Sequence, residues 1–300
     1  MDSVSERIAK LKAERNAVIL AHNYCLPEVQ DLADKVGDSL GLSIAASETD
    51  ADVIVFCGVT FMAETAKILN PEKTVLIPDD AAICSMAQMC TPSEIIEARR
   101  RNPGAEVVGY VNSTAACKAE MDVCCTSSNA VSIVSSVDSD DIVFVPDANL
   151  GAYSASRCPQ KDIVLWHGFC PIHQSISVKQ VEDLIRAHPG APVIAHPECR
   201  APVLSLADDI GSTEAMIKFV RSSDKREFIV LTEVGMGHRL ESECPGRVFH
   251  FPSAAVCGAM KMATPEGILS CLETMSPQVT LSPETIERAR RPVERMISIH

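Results

Sequence analysis

Asp141-Ile-Val-Phe-Val-Pro-Asp147 is apolar without interruption from Ile142 to Val145 and is stopped by a proline. A strand with one solvated face alternates apolar and polar residues. An unbroken β-branched run reads instead as a strand buried on both faces, as in a parallel sheet covered by helices. The run has counterparts on either side, Val53-Ile-Val-Phe-Cys-Gly58 and Glu227-Phe-Ile-Val-Leu-Thr-Glu233. Two more sets recur in step with it. One is Val18-Ile-Leu-Ala-His22, Val107-Val-Gly-Tyr-Val-Asn112 and Val193-Ile-Ala-His-Pro197; the other is Thr74-Val-Leu-Ile-Pro78, Asp162-Ile-Val-Leu-Trp166 and Arg247-Val-Phe-His-Phe-Pro252.

Helix signals fall between these runs. Ser3-Val-Ser-Glu6, Thr91-Pro-Ser-Glu94 and Ser177-Val-Lys-Gln180 have capping-box spacing, a hydroxyl followed three residues later by Glu or Gln. Pro103-Gly-Ala105 and Pro189-Gly-Ala191 repeat one helix-ending turn 86 residues apart. Strands alternating with helices at that period predict an α/β protein of three pseudo-threefold-related αβα sandwich units with parallel sheets. The expected units are 1–83, 84–169 and 170–257, with the segment 258–300 packing on the first. Ser282-Pro283 is expected to open a C-terminal helix.

Composition narrows the function. With 27 Lys and Arg against 40 Asp and Glu, the net charge is −13. Nucleic acid and acidic membrane surfaces are therefore not expected partners, because phosphate binding is driven by Lys and Arg. The longest apolar run, Val53 to Ala63, is too short to span a bilayer. Thirteen cysteines in 300 residues, with no secretory pattern in Met1–Arg7, suggest a reducing cytoplasm with free thiols and some held by metal.

Three of those cysteines keep the repeat. Cys84, Cys170 and Cys257 lie 86 and 87 residues apart, each after the last strand of its unit and seven residues before a hydroxyl cap, Thr91, Ser177 or Thr264. Equivalent atoms of three equivalent units meet near the pseudo-threefold axis, so the three thiolates form a tripod. Such a tripod favours soft metal, an iron–sulfur cluster or zinc. A cube-shaped [4Fe–4S] cluster on three protein ligands keeps one open iron, a Lewis acid. The other ten cysteines are expected to be packing residues, as buried Cys usually is.

A polar layer is also in phase. The first strand of each unit ends in His22-Asn-Tyr24, Tyr110-Val-Asn112 or His196-Pro-Glu198. Ligands of open α/β sheets sit outside the carboxyl ends of strands, so these residues are expected around one cavity. Asp38-Ser39, Thr126-Ser127 and Ser212-Thr213 read as helix starts, which cap helices and also bind anions. His173, in Cys170-Pro-Ile-His173, is expected either to pack at a helix start or to donate to a substrate.

Taken together, the chain resembles the quinolinate synthase family along nearly its whole length. The resemblance is carried by Ala21-His-Asn-Tyr24, Val36-Gly-Asp-Ser-Leu-Gly-Leu-Ser43, Cys57-Gly-Val-Thr-Phe-Met-Ala-Glu-Thr-Ala-Lys67 and Tyr110-Val-Asn112. It continues in Cys124-Cys-Thr-Ser-Ser-Asn-Ala130, Asn149-Leu-Gly151, His167-Gly-Phe-Cys-Pro-Ile-His173, His196-Pro-Glu198 and Met260-Lys261. It implies a [4Fe–4S] cluster on Cys84, Cys170 and Cys257. It implies condensation of iminoaspartate with dihydroxyacetone phosphate to quinolinate in NAD biosynthesis, a transferase reaction. An aspartate oxidase or dehydrogenase is the implied source of iminoaspartate.

Carried over by motif, His22, Tyr24, Ser39, Tyr110, Asn112, Ser127, His173, His196, Glu198 and Thr213 would bind substrate. Glu198, Tyr24, His22 and His196 would be catalytic, with Glu198 as the acid/base group. The sequence departs from the family at Cys25, at Ala148 and in the order of Asn112-Ser-Thr114. The alternatives are another open-cluster enzyme on a threefold α/β scaffold, a diphosphate reductase or diphthamide-type radical enzyme, and a non-enzymatic cluster sensor.

Overall fold

The computed structural model describes residues 3–299; Met1, Asp2 and His300, at the outer edges of the first and last expected segments, lie outside it, as does the start of the Met1–Arg7 stretch. Twelve strands form three four-stranded sheets. The first contains β1 (Ala17–His22), β2 (Lys35–Gly37), β3 (Val53–Cys57) and β4 (Thr74–Leu76). The second contains β5 (Glu106–Tyr110), β6 (Val123–Cys125), β7 (Asp141–Val145) and β8 (Asp162–Leu165). The third contains β9 (Val193–Ala195), β10 (Asp209–Ile210), β11 (Glu227–Leu231) and β12 (Val248–His250). The order across each sheet is the same, β2-β1-β3-β4, β6-β5-β7-β8 and β10-β9-β11-β12, and every pairing is parallel. This is the expected α/β fold of three repeated units.

Nine of the strands are those read from the sequence; the edge strands β2, β6 and β10 are not. They are two or three residues long, too short to show a period. What places them is the neighbouring strand: β2, for instance, pairs with β1 from Leu20↔Lys35 to His22↔Gly37.

Both faces of the central strands are covered. On the first sheet, Ile19, Ala21, Val53 and Val55 pack with Ile8 of the helix Val4–Glu14 and Ile268 and Leu272 of the helix Pro265–Thr274. Leu20, Ile54 and Phe56 face the other way, into a core shared with Val107 and Phe144 of the second sheet and Ile194 and Phe228 of the third. The remaining face of the third sheet, Val193, Ala195, Ile229 and Leu231, has its own cluster. The shared core is what binds the three units into one body. The C-terminal helix Pro283–Ser298, capped by Ser282 as expected, packs on β6, on the helix Thr60–Leu69 and on the helix Ala115–Lys118. It therefore seats on the second unit as well as the first. No helix among the described residues is long and apolar enough to cross a membrane.

The three capping boxes form as read, at Ser3, Thr91 and Ser177. Gly104 and Gly190 have φ +92° and +86°, and a third such turn, at Gly246, has φ +81°. A side chain at any of these positions carries the strain of the left-handed region although no atom lies within 4 Å of the would-be Cβ. Gly104→Ala and Gly190→Ala should therefore each destabilise the fold by roughly 1–2 kcal/mol. Gly258→Ala, at φ −57° with equally open space, should not. Chemical denaturation of the three variants is the check.

Candidate active site

The carboxyl ends of β1, β5 and β9 do converge. His22 and Tyr24, Tyr110 and Asn112, and His196 and Glu198 line one cavity together with Ser39, Ser127 and Thr213, nine of the ten residues expected to touch substrate. Asp38, Phe61 and Met260 complete its wall. The free space is about 40 Å³, room for only a few waters, so the polar walls nearly meet. Larger hollows, of about 500 Å³ beside His188 and about 690 Å³ beside Arg288, are surface grooves without buried convergent polar groups.

His173 is the tenth residue, and it sits one layer back. It is buried in the short helix Pro171–Ser175, with Nδ1 2.8 Å from Glu198 Oε2 and Nε2 2.9 Å from Thr232 Oγ1. Of the two expectations for it, packing or donation to a substrate, the geometry shows a third: it orients the carboxylate. Of the three expected helix starts, two form and one does not. Asp38 and Ser212 are the caps, which places Ser39 and Thr213 at the first helical position. Ser127 starts no helix. It lies in a turn closed by Thr126 N–H donating to Asn129 Oδ1, ahead of the seven-residue helix Ala130–Ser136. The Thr126-Ser127-Ser128-Asn129 sequence caps its own turn before helical geometry begins, because Asn competes for local backbone N–H groups.

Glu198 is the electrostatic centre. It is 3% exposed. Its Oε2 receives His173 Nδ1 and lies 3.2 Å from His196 Nδ1, while Oε1 has no partner. Burial by itself would raise this carboxyl, but His173 and His196 beside it hold it below the usual carboxylate range. Burial drags His22 down to about 3, with the neighbouring His196 adding to the effect. Burial lowers His196 too, against the pull of Glu198. Tyr24 and Tyr110 are pushed up, first by burial and then by the Glu198 charge. Near neutral pH the Glu198 carboxylate thus stands ionised among protonated phenols and the uncharged imidazoles of His22 and His196.

These groups form a hydrogen-bonded chain. Tyr24 Oη is 2.6 Å from Thr232 Oγ1, which is next to His173 Nε2, which leads through the ring to Glu198. With Nδ1–H donating to Glu198, the ring accepts from Thr232, and Thr232 accepts from Tyr24. On the other side His196 Nε2 is 3.1 Å from Ser127 Oγ. The first branch donates in one direction, from Tyr24 toward Glu198.

Thr232 and Glu233 were missed by sequence reasoning. Glu233 is fully buried, receives the Cys257 backbone N–H at 3.0 Å and pairs with Lys261 at 3.0 Å; Lys261 also donates to the Tyr24 carbonyl. The pair straps the Cys257 loop to the end of β1. The signal was available, since the run Glu227 to Glu233 ends in two polar residues just as the first strands do.

Cys84, Cys170 and Cys257 lie beside this cluster, and they are the only cysteines of the thirteen that are not buried. Cys170 Sγ is 3.2 Å from His173 Nδ1, and its ligand atom groups with those of His173 and Glu198 within 4.8 Å. Burial raises all three thiols, Cys84 to about 12; the charges of Glu198 and Cys257 add to the effect at Cys84, and those of Glu198 and Cys84 at Cys170. Thiols that repel one another's ionisation need a cation before they become thiolates. The other ten are packing residues; Cys25 Sγ, at one of the departures noted above, donates to the Cys57 carbonyl.

Three parallel α/β units closed around a buried acid–histidine chain and three open thiols define an enzyme of the pseudo-threefold, cysteine-centred type. The chain belongs to the quinolinate synthetase A protein family, whose profile matches residues 6–298. It is 50% identical over 297 residues to the quinolinate synthase of Methanoregula boonei, covering 99% of this chain and 98% of that one. Against the quinolinate synthase of Aquifex aeolicus it is 47% identical over 302 residues, 99% and 94% of the two chains. Against quinolinate synthase 1 of Methanosarcina acetivorans it is 49% identical over 295 residues, 98% and 97%. The diphosphate-reductase, diphthamide-type and sensor readings have no support beside this.

The depressed His22 predicts an acid limb. Its pKa is about 3 folded and about 6.5 unfolded, so between those values the unfolded chain binds more protons and stability falls as pH falls. Melting temperature should decline from about pH 6.5 downward. His22→Asn should flatten that slope by up to one proton, which a series of melts between pH 4 and 7 measures.

Proposed function

We propose that the cavity condenses iminoaspartate with dihydroxyacetone phosphate, giving quinolinate, phosphate and water, in the cytoplasm. The observation that carries this reading is the convergence of the Glu198 carboxylate with the neutral side chains of His22, Tyr24, Tyr110 and His196 at the ends of β1, β5 and β9, beside three open thiols. Iminoaspartate would come from an aspartate oxidase or dehydrogenase. The three thiols suit a [4Fe–4S] cluster: they alone are open, and beside them Glu198 Oε1 is buried without a partner. When bound, such a cluster supplies one open iron able to polarise a carbonyl or hydroxyl oxygen.

The chain's own residues account for the rest. The hydroxyls of Ser39, Ser127 and Thr213, with the amino-terminal ends of the helices Ser39–Glu48 and Thr213–Ser222, hold the two carboxylates and the phosphate. Asp38 lies in the same wall, but its carboxylate is engaged by the Gly41 N–H at 2.8 Å and by Ser128 Oγ. Fixing both reactants converts bond formation and ring closure into intramolecular steps. Glu198 takes the proton released at the reacting carbon and returns it to the departing oxygen, while His173, held by Thr232 and Tyr24, keeps the carboxylate in place. The nearly closed cavity keeps water from the imine, which it would hydrolyse.

Protein prepared without oxygen should hold about four irons and four sulfides per chain. Cys84→Ser, Cys170→Ser and Cys257→Ser should each lose iron and activity, while Cys124→Ser and Cys271→Ser keep both. Stoichiometric zinc without sulfide, or an equal requirement for Cys124, would defeat the cluster assignment.

Glu198→Gln retains size but cannot accept the proton. Its turnover should fall by about 10²–10⁴-fold with iron content unchanged and quinolinate binding near normal. Wild-type turnover in this variant would transfer the acid/base role to His196.

A further inference from the structure

At the opposite end of the third sheet from the active site, three side chains converge that the reaction does not use. His188 follows the helix Val178–Ala187, Glu227 opens β11 and His250 closes β12. His250 Nε2 is 3.1 Å and His188 Nδ1 3.5 Å from the same oxygen, Glu227 Oε2. The two rings stack with centroids 3.3 Å apart. One donor atom from each residue lies within 4.8 Å of the other two. The side chains are 27%, 52% and 18% exposed for His188, Glu227 and His250, and the first two border the groove of about 500 Å³ that also touches Lys225 and Arg226.

We propose that His188, Glu227 and His250 form a binding site for a divalent metal of borderline softness, Zn²⁺. Two imidazoles and a carboxylate are a donor set zinc takes with a fourth position left to water. Donors on a tetrahedral zinc with bonds of about 2.0–2.1 Å stand about 3.3 Å apart, and the two nitrogen–oxygen separations bracket that value. A hydrogen bond explains the closer pair, but the longer one is at the limit of any hydrogen bond; the His188 ring is held by stacking on His250, and zinc would turn the rings so that each points a nitrogen at the ion. Lys225 and Arg226 oppose a cation, which makes the affinity modest.

Bound there, the ion ties the end of one helix to two strands. It acts as a staple for the third unit and has no part in the condensation.

The test uses holoprotein prepared without oxygen, so that the central thiols are occupied, and Zn²⁺ itself as the probe. Wild type and the double variant His188→Ala/His250→Ala are titrated, passed through a desalting column and analysed for zinc, and melted with and without the ion. Wild type should retain one more zinc per chain than the variant, and zinc should raise the melting temperature of wild type alone. Equal zinc in both, or an equal shift in melting, overturns the proposal. If the double variant melts lower than wild type without zinc, His188→Gln replaces it, with the same expected loss of one ion.

Discussion

A strand buried on both faces has nowhere to place a polar side chain except at its ends. That constraint governs this molecule. Ile19 to Ala21, Ile142 to Val145 and Phe228 to Leu231 are all buried, and apolar contact on each side forbids charge along their length. The polar residues therefore collect where the strands stop. Because each sheet has the same order and all strands run parallel, the stops of β1, β5 and β9 occupy equivalent places, and the shared core turns those places toward one point.

The same confinement sets the electrostatics. A carboxylate as buried as Glu198 is tolerated only with donors against it, and His173 and His196 supply them. Burial keeps His22 neutral against the pull of Glu198, and keeps the phenols of Tyr24 and Tyr110 protonated with the Glu198 charge adding to the effect. Glu233 repeats the arrangement, with Lys261 and the Cys257 N–H as its partners. Buried charge here fixes geometry: it fastens the third thiol loop to the first unit.

Strands as long and apolar as β3, β7 and β11 were legible from composition alone, and so were the capping boxes at Ser3, Thr91 and Ser177, because each is a local pattern of a few residues. The phase of Cys84, Cys170 and Cys257 was legible because a repeat writes equivalent positions at equal intervals. The strand-end residues from His22 to Glu198 followed from the same logic. What is local or periodic can be read from one dimension.

The edge strands β2, β6 and β10 could not be read, since pairing with a neighbour rather than any property of Lys35-Val-Gly37 or Asp209-Ile210 makes them strands. The turn at Ser127, read as a helix start, was decided by a contest between Asn129 and the helix for the same N–H groups. His173 and Thr232 acquire their part only when the first and third units bring Tyr24 against Thr232, and His173 against Thr232 and Glu198, across some 200 residues of chain. The sequence by itself determined three units, their strands and the atoms placed in phase at their ends. Which of those atoms touch, which proton each holds and which thiols stay open were decided only by tertiary packing, because burial and contact distance are properties of neighbours that the chain order does not contain.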